Sequence, residues 1–398
     1  MRILYTNFHQ ADGGGHTTYV LSLVRALRAA HDIVVAAPAG SRLFLEASGM
    51  PGVRVVPMEF KGGLLSAWPR IRRMRALLKI ERFDLVHVNG AADHRLCMLA
   101  SMGLRGGRPA IVYTQHTSRS GRSLGAALRA RLATDRVICV SEHTRRGLMR
   151  SHYAGCGLRT VKNGVDVDYF TPATPEEKAL SRERWLRPSQ AGCLVVGSNA
   201  GTAVYKNWPD MLEAVAMLPG ALRRRIVVLI AGEPPNEDRL RYVESLGMQD
   251  RATFVGLLDD VRPFLAALDL GFVLSSRLET ISFACREMMA MGLPVVVSDV
   301  GGLPENVEDG VDGWVVPACA PTAVSEVLRE ALREPEALEV MGEAARARAL
   351  AEFGLSRFVA QTQAVYLEAL DLPRPSRLWP IGWFALGAAT FWIQDLFI

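Results

Sequence analysis

Short runs of apolar residues alternate with longer stretches in which apolar positions recur at helical spacing. "RILYTNF", "DIVVAAP", "VRVVPM", "DLVHVN", "AIVYTQH" and "RVICVS" are rich in β-branched residues and predict strands. "HTTYVLSLVRALRAAH", "WPRIRRMRALLKIERF" and residues Leu124 to Ala133 predict the helices between them. The strands are apolar throughout rather than every second residue, the pattern of strands covered on both faces. Strand and helix in strict alternation predict a parallel sheet.

"RTVKNGVDVDYFTP" interrupts the rhythm, and the polar, proline-bearing stretch after it suits a domain junction. A second series then begins with "CLVVGSN", a helix around Pro209 to Met217, "RIVVLIAG", "ATFVGL", "LGFVLSS", "PVVVSD" and "GWVV". The expected layout is a first α/β domain over residues 1–170 and a second over 171–354. A closing helix and linker over 355–377 is expected to cross back to the first domain. A hydrophobic aromatic tail occupies 378–398. Ligands bind outside the carboxyl ends of the strands in open parallel sheets, so the site is expected in the cleft between the strand ends of the two domains.

Composition narrows this picture without redirecting it. The 398 residues are 49% hydrophobic and 22% charged, enough for two cores and too apolar for a disordered chain. A net charge of +5 fits an anionic partner such as a nucleotide, a phosphorylated glycan or an acidic lipid. The six cysteines include no CxxC pair, so neither a zinc site nor a redox motif is indicated, and buried free thiols in a reducing compartment are expected. "MRILYTNFHQ" enters a strand without the apolar core of a signal peptide, and a cytoplasmic location is expected.

Chemistry is sought at the strand ends. Gly13, Gly14 and Gly15 stand between the first strand and first helix. A tight turn and an anion or acceptor site both fit them. A dinucleotide fingerprint fits poorly, because its register lands on Thr18 and the second strand ends without an acidic residue. His116 ends a strand, with Arg119 and Arg122 on the loop behind it. A structural histidine competes there with a functional one. Lys206 follows a glycine-bearing loop and precedes a helix, which suits a surface lysine or a cation on a diphosphate leaving group. Glu279 stands where a strand ends, and Glu287 lies eight residues on in the next helix. That is about 12 Å along a helix, too far to share a proton or a metal. The two carboxylates suit opposite ends of one extended ligand. The N–H groups near Thr280, Ile281 and Ser282 are expected to form the helix start that holds phosphate between them.

Glu279-x7-Glu287 with "MMAMGLPVVVSDVGGLPE" resembles the signature of the family 4 retaining glycosyltransferases. "NGVDVDYF" (163–170), Lys206, "FVG" (254–256) and "DGVDGWVV" (309–316) match further landmarks in order, so the resemblance reaches to about Leu370. It implies the α/β GT-B fold, with two facing Rossmann-like domains. It implies Glu287 on the ribose, Glu279 on the donor sugar, Lys206 on the diphosphate and His116 beside the reacting carbon. It implies a nucleotide-diphosphate sugar as donor substrate, with no metal and no separate cofactor. Two positions depart from the family pattern: Thr280 replaces a glycine, and "GTAVY" lacks an arginine before Lys206, for which Arg277 is a candidate substitute.

Lys61, Arg70, Arg72, Arg73, Arg75, Lys79 and Arg82 cluster on one predicted helix and its flanks, among Trp68, Ile71, Met74, Leu77 and Leu78. A solvated face and a membrane-facing basic helix are the two readings. The tail from Leu378 is rich in Trp and Phe, which suits a membrane surface or packing on the protein itself. The function expected is sugar transfer to a lipid-linked or lipopolysaccharide-type anionic glycan at the inner face of the plasma membrane, with no nucleic acid partner. A soluble transferase making a small glycoside and a non-catalytic membrane subunit are the alternatives.

Overall fold

The computed structural model describes residues 1–63, 67–104, 107–277 and 279–373; the aromatic tail lies outside them. Among the described residues two compact units result: Met1–Lys162 together with residues 358–373, and Asn163–Arg357. The sequence places the junction at 170, whereas "NGVDVDYF" groups with the second unit. The reason is local hydrogen bonding. Val165 N–H donates to Phe353 O at 2.8 Å, and Arg346 donates to the carbonyls of Val167 and Phe170.

The first unit holds seven parallel strands: β1 (Arg2–Thr6), β2 (Asp32–Ala37), β3 (Val53–Pro57), β4 (Leu85–Val88), β5 (Ala110–Gln115), β6 (Arg136–Cys139) and β7 (Leu158–Thr160). Their order is β3-β2-β1-β4-β5-β6-β7. The second unit holds six: β8 (Leu194–Ser198), β9 (Ile226–Ala231), β10 (Ala252–Gly256), β11 (Leu270–Val273), β12 (Val295–Ser298) and β13 (Gly313–Val316), ordered β10-β9-β8-β11-β12-β13. Each is a Rossmann-like sheet whose order reverses once, between β1 and β4 in the first and between β8 and β11 in the second. Loops leaving those neighbouring strands run to opposite faces and open a crevice at their carboxyl ends.

β9 shows why the strands are apolar throughout. Ile226, Val228 and Ile230 enter one core cluster, and Val227, Leu229 and Ala231 enter another on the opposite face. Each fully buried aliphatic side chain contributes about 1.5–3 kcal/mol. Cys97, Cys139, Cys193 and Cys285 are buried, Cys156 is half-buried and Cys319 is exposed; all are free thiols.

The basic helix forms as Ala67–Glu81, but its charges are not all on one solvent face. Arg75 turns inward and donates to the carbonyls of Ala100, Met102 and Gly103, closing the end of the helix Ala91–Ser101. Arg70 donates to the carbonyls of Gly62 and Gly63. Arg72, Arg73, Lys79 and Arg82 remain exposed, with Trp68 and Ile80 exposed beside them.

Candidate active site

Each unit carries its own group of candidate residues at the carboxyl ends of its strands. In the second unit, β8 runs into Asn199 and a loop that ends in the 3-10 turn Val204–Lys206. Asn207 follows in the left-handed region, and buried Trp208 anchors the next helix. Ser276 N–H donates to Tyr205 O at 2.8 Å, which ties the lysine loop to the loop after β11. Across that tie Lys206 Nζ meets Glu279 Oε2 at 2.6 Å, the two side chains only 14% and 8% exposed. Ser275 Oγ donates to the same carboxylate oxygen at 2.9 Å.

The Glu279 backbone is held as tightly as its side chain. Gly302 N–H donates to Glu279 O at 3.0 Å. Gly301 has φ +60°, and a Cβ there would lie 1.7 Å from the same carbonyl oxygen. "VGGLPE" is therefore the floor under Glu279, a role that sequence reading had not given it.

The helix expected from Ile281 begins two residues later, as Phe283–Ala290. Ser282 is its N-cap and accepts from Cys285 N–H, while Thr280 and Ile281 lie in the approach. Arg286 is buried, donates to Asn306 and to the Asn163 carbonyl, and stacks on Phe353. With that neighbour pinned, Glu287 is turned about 100° round the helix. It accepts from Asn199 Nδ2 at 2.7 Å. Burial pushes the Glu287 carboxyl up to about 7, with the Asn199 bond acting in the opposite sense. Lys206 and Glu279 thus meet directly, while Glu287 stands apart with Asn199. Asn199 was missed in the sequence, since nothing local marks a partner 88 residues away. Arg277 is exposed on the loop between Ser276 and Glu279.

In the first unit, the helix Gly14–Leu27 follows the glycine loop. The Gly14 N–H, expected to face an anion, donates to Asp12 Oδ2 at 2.7 Å. Gly15 is exposed in the first turn. His116 follows β5 directly and is buried. Its ring lies 4.3 Å from that of His16 and 4.6 Å from that of Tyr19, centroid to centroid. His9 packs on His16 at 4.7 Å. Burial lowers His16 to about 4 and holds His116 well below the usual histidine range. Asn7 Nδ2, His9 Nε2 and His16 Nδ1 are buried without a hydrogen-bond partner. Among the described residues no group of three or more His, Cys, Asp and Glu side chains is arranged to hold a metal.

The comparisons with known proteins follow this division. Residues 13–169 match the family model "Glycosyltransferase Family 4", and residues 193–348 match "Glycosyl transferases group 1". A D-inositol 3-phosphate glycosyltransferase of Streptomyces scabiei is 30% identical over 349 residues, spanning 80% of this chain and 74% of that protein. The chain belongs to glycosyltransferase family 4. A GDP-mannose-dependent alpha-(1-6)-phosphatidylinositol monomannoside mannosyltransferase of Mycolicibacterium smegmatis is 28% identical, spanning 87% of this glycosyltransferase and 93% of the relative. The crystal structure of Anabaena Alr3699/HepE in complex with UDP matches with a TM-score of 0.79 at 19% identity, covering 92% of this chain and 99% of that one. The fold is GT-B, and the chain is an enzyme of the glycosyltransferase class, which removes the non-catalytic reading.

Proposed function

We propose that this glycosyltransferase moves a sugar, with retention of configuration, from a nucleotide-diphosphate sugar to an anionic, lipid-linked glycan. The observation that carries the donor assignment is the Lys206–Glu279 pair, with Glu287 and Asn199 beyond it at the β8/β11 switch point. In this reading Glu287 accepts hydrogen bonds from the ribose hydroxyls and Glu279 from the sugar. The diphosphate lies over Thr280, Ile281, Ser282 and the helix start, where the helix dipole favours an anion. Lys206 leaves Glu279 for the diphosphate as charge develops on the leaving oxygen. Gly14 and Gly15 are assigned to the donor phosphate as well, with the Asp12 carboxylate displaced from the Gly14 N–H. His116 is assigned to the donor sugar. The acceptor oxygen bonds to the anomeric carbon as the carbon–phosphate-oxygen bond breaks, and the acceptor's proton passes to the leaving phosphate. No metal takes part in this scheme.

A phosphate-bearing acceptor is supported by the printed names of the Streptomyces and Mycolicibacterium relatives. Exposed Arg72, Arg73, Lys79 and Arg82 beside Trp68 support docking on an acidic membrane surface. Among the described residues no helix is long and apolar enough to cross a membrane.

A panel of sugar nucleotides, assayed for nucleoside diphosphate release with a lipid-linked and a soluble phosphorylated acceptor, tests the proposal. One donor should be turned over in the presence of EDTA, and NMR of the product should show the donor's anomeric configuration. An inverted product would exclude the mechanism. Transfer to the soluble acceptor alone would favour the small-glycoside alternative. Co-sedimentation with anionic vesicles, reversed by high salt, checks the membrane assignment.

A further inference from the structure

Tyr5 on β1, His87 on β4 and Thr114 on β5 stand on three neighbouring strands of the first sheet. Tyr19 is on the first helix. Thr362 and Tyr366 are four residues apart, and so on one face, in the closing helix Leu355–Leu370, within the part that groups with the first unit. All six side chains are fully buried. They form one line of polar contacts. Tyr5 Oη meets Tyr366 Oη at 2.9 Å, and Tyr366 Oη meets His87 Nδ1 at 2.6 Å. His87 Nε2 meets Thr114 Oγ1 at 2.6 Å, and Thr114 Oγ1 meets Tyr19 Oη at 3.1 Å. Tyr19 also bonds the Thr362 hydroxyl, and Thr362 Oγ1 donates to Phe358 O at 2.8 Å.

One direction along this line strands no hydrogen. Burial pushes His87 down to about 3 and raises Tyr5, Tyr19 and Tyr366, so the imidazole is neutral and each group in the line brings one hydrogen. The Phe358 carbonyl only accepts, so Thr362 places its hydrogen there and accepts from Tyr19. Tyr19 then accepts from Thr114, and Thr114 accepts from His87 Nε2–H. Nδ1 of His87 accepts from Tyr366, which accepts from Tyr5. In the reverse direction the last hydrogen falls on Tyr5. Its hydroxyl bonds only Tyr366 among the described residues, and it would become a buried donor without an acceptor.

The line passes beside the candidate residues of this unit. Thr114 stands two residues before His116. Tyr19 ties its hydroxyl to Thr114 and turns its ring edge-on to His116, with centroids 4.6 Å apart and planes at 84°. Such a contact is specific in geometry, so the angle of Tyr19 sets the angle of His116. His116 Nε2 meets Asn89 Oδ1 at 2.9 Å as well. We propose that His87 is a positioning residue: as the Nε2–H tautomer it directs one continuous hydrogen-bond chain from Tyr5 to the closing helix, and through that chain it fixes Tyr19 as the wall against which His116 is set. The closing helix is thereby a working part of the first unit's site. The consequence for sugar transfer rests on the role proposed above for His116; the direction of the chain does not.

The test begins with ring-15N-labelled histidine in the full-length protein. His116 is assigned by loss of its signals in His116→Gln and His87 by loss in His87→Gln, or, where the latter does not fold, by the ring that Tyr366→Phe shifts most. The wild-type His87 ring should carry its hydrogen on Nε2; a hydrogen on Nδ1 would overturn the proposal. Thr114→Val keeps the shape of the side chain and removes the hydroxyl between His87 and Tyr19. The His116 signals should shift, and turnover should fall about tenfold with KM for the sugar nucleotide within about twofold. Thr114→Ser should restore both. Tyr366→Phe, two links further from His116, should act in the same sense. Unmoved His116 signals with wild-type turnover in Thr114→Val, or in Tyr366→Phe if Thr114→Val does not fold, would reduce the chain to a structural one and overturn the positioning role. Shifted His116 signals in a protein that turns over no sugar nucleotide would uphold the positioning and remove the donor assignment instead.

Discussion

Asn89 and Asn199 are each the first residue after a strand that flanks its sheet's switch point, but on opposite sides of it: β4 corresponds in strand order to β11, and β8 to β1. They use opposite ends of the same amide. Asn89 offers its oxygen to a histidine held neutral by burial. Asn199 offers its NH2 to a carboxyl whose proton affinity burial has raised. Around Asn89 lie imidazoles packed ring on ring. On the loops beside Asn199 lies an ion pair, Lys206 with Glu279. An amide cannot titrate, so each asparagine orients its partner without adding a charge of its own. One strand order is thus equipped in two ways: with packed neutral rings in the first unit, and with an ion pair and a raised carboxyl in the second.

The largest effect expected from breaking this contrast is at Lys206. If its charge acts on the departing diphosphate, Lys206→Ala should reduce turnover by about 100-fold or more, as loss of a preorganised oxyanion donor does. Steady-state kinetics that showed the loss only in KM would reduce Lys206 to a binding group.

Next is Glu287→Gln. If its carboxylate accepts from the ribose hydroxyls, the substitution should weaken sugar-nucleotide binding by about 1.5–3 kcal/mol at pH 8. Wild-type affinity should fall as pH drops below about 7, where the carboxylate takes up its proton, and the variant should lack that slope. Calorimetry with the intact sugar nucleotide is the proper measure, because its diphosphate has no ionisation near neutrality. Identical pH profiles for the two proteins would remove Glu287 from the site.

The smallest effect is on the fold itself. A carboxyl with a folded pKa near 7 against an ordinary value near 4.5 binds its proton more readily when folded. Stability must then decline as pH rises between those values and stay lower above them. Full desolvation would make the penalty about 3 kcal/mol. Glu287 is only partly buried, which reduces it to the order of 1 kcal/mol. Glu287→Gln should therefore raise Tm at pH 8 by about 2–4 °C and leave it unchanged near pH 4. A lower Tm at pH 8 would mean that the Asn199 bond outweighs desolvation.

The sheets were legible because buried parallel strands announce themselves as apolar runs, and β5 ends at Gln115 with His116 next, where sequence reading had placed it. Local chemistry was less legible. The helix start was read at Ile281, but Ser282 caps from outside and sets the first helical residue at Phe283. Arg75 looks like its basic neighbours until the end of Ala91–Ser101 supplies three carbonyls. Asn89, Asn199 and Gly301 carry no signal of their own. Each acquires its role from a partner brought close by the fold, 27, 88 and 22 residues away in the chain.

Tyr366 has a consequence for the order in which the protein is made. It sits in the segment after Phe358 that groups with the first unit, and its hydroxyl bonds Tyr5 at 2.9 Å and His87 at 2.6 Å deep in that unit. His87 passes the contact to Thr114, and Thr114 to Tyr19. During synthesis all seven strands of the first sheet leave the ribosome before this tyrosine exists. The second unit, uninterrupted from Asn163 to Arg357, has its whole sequence in hand earlier than the first. Domains generally fold as units as they emerge. Here the unit that is begun first is completed last, and until Tyr366 arrives the buried hydroxyl of Tyr5 and the ring of His87 wait for their partner.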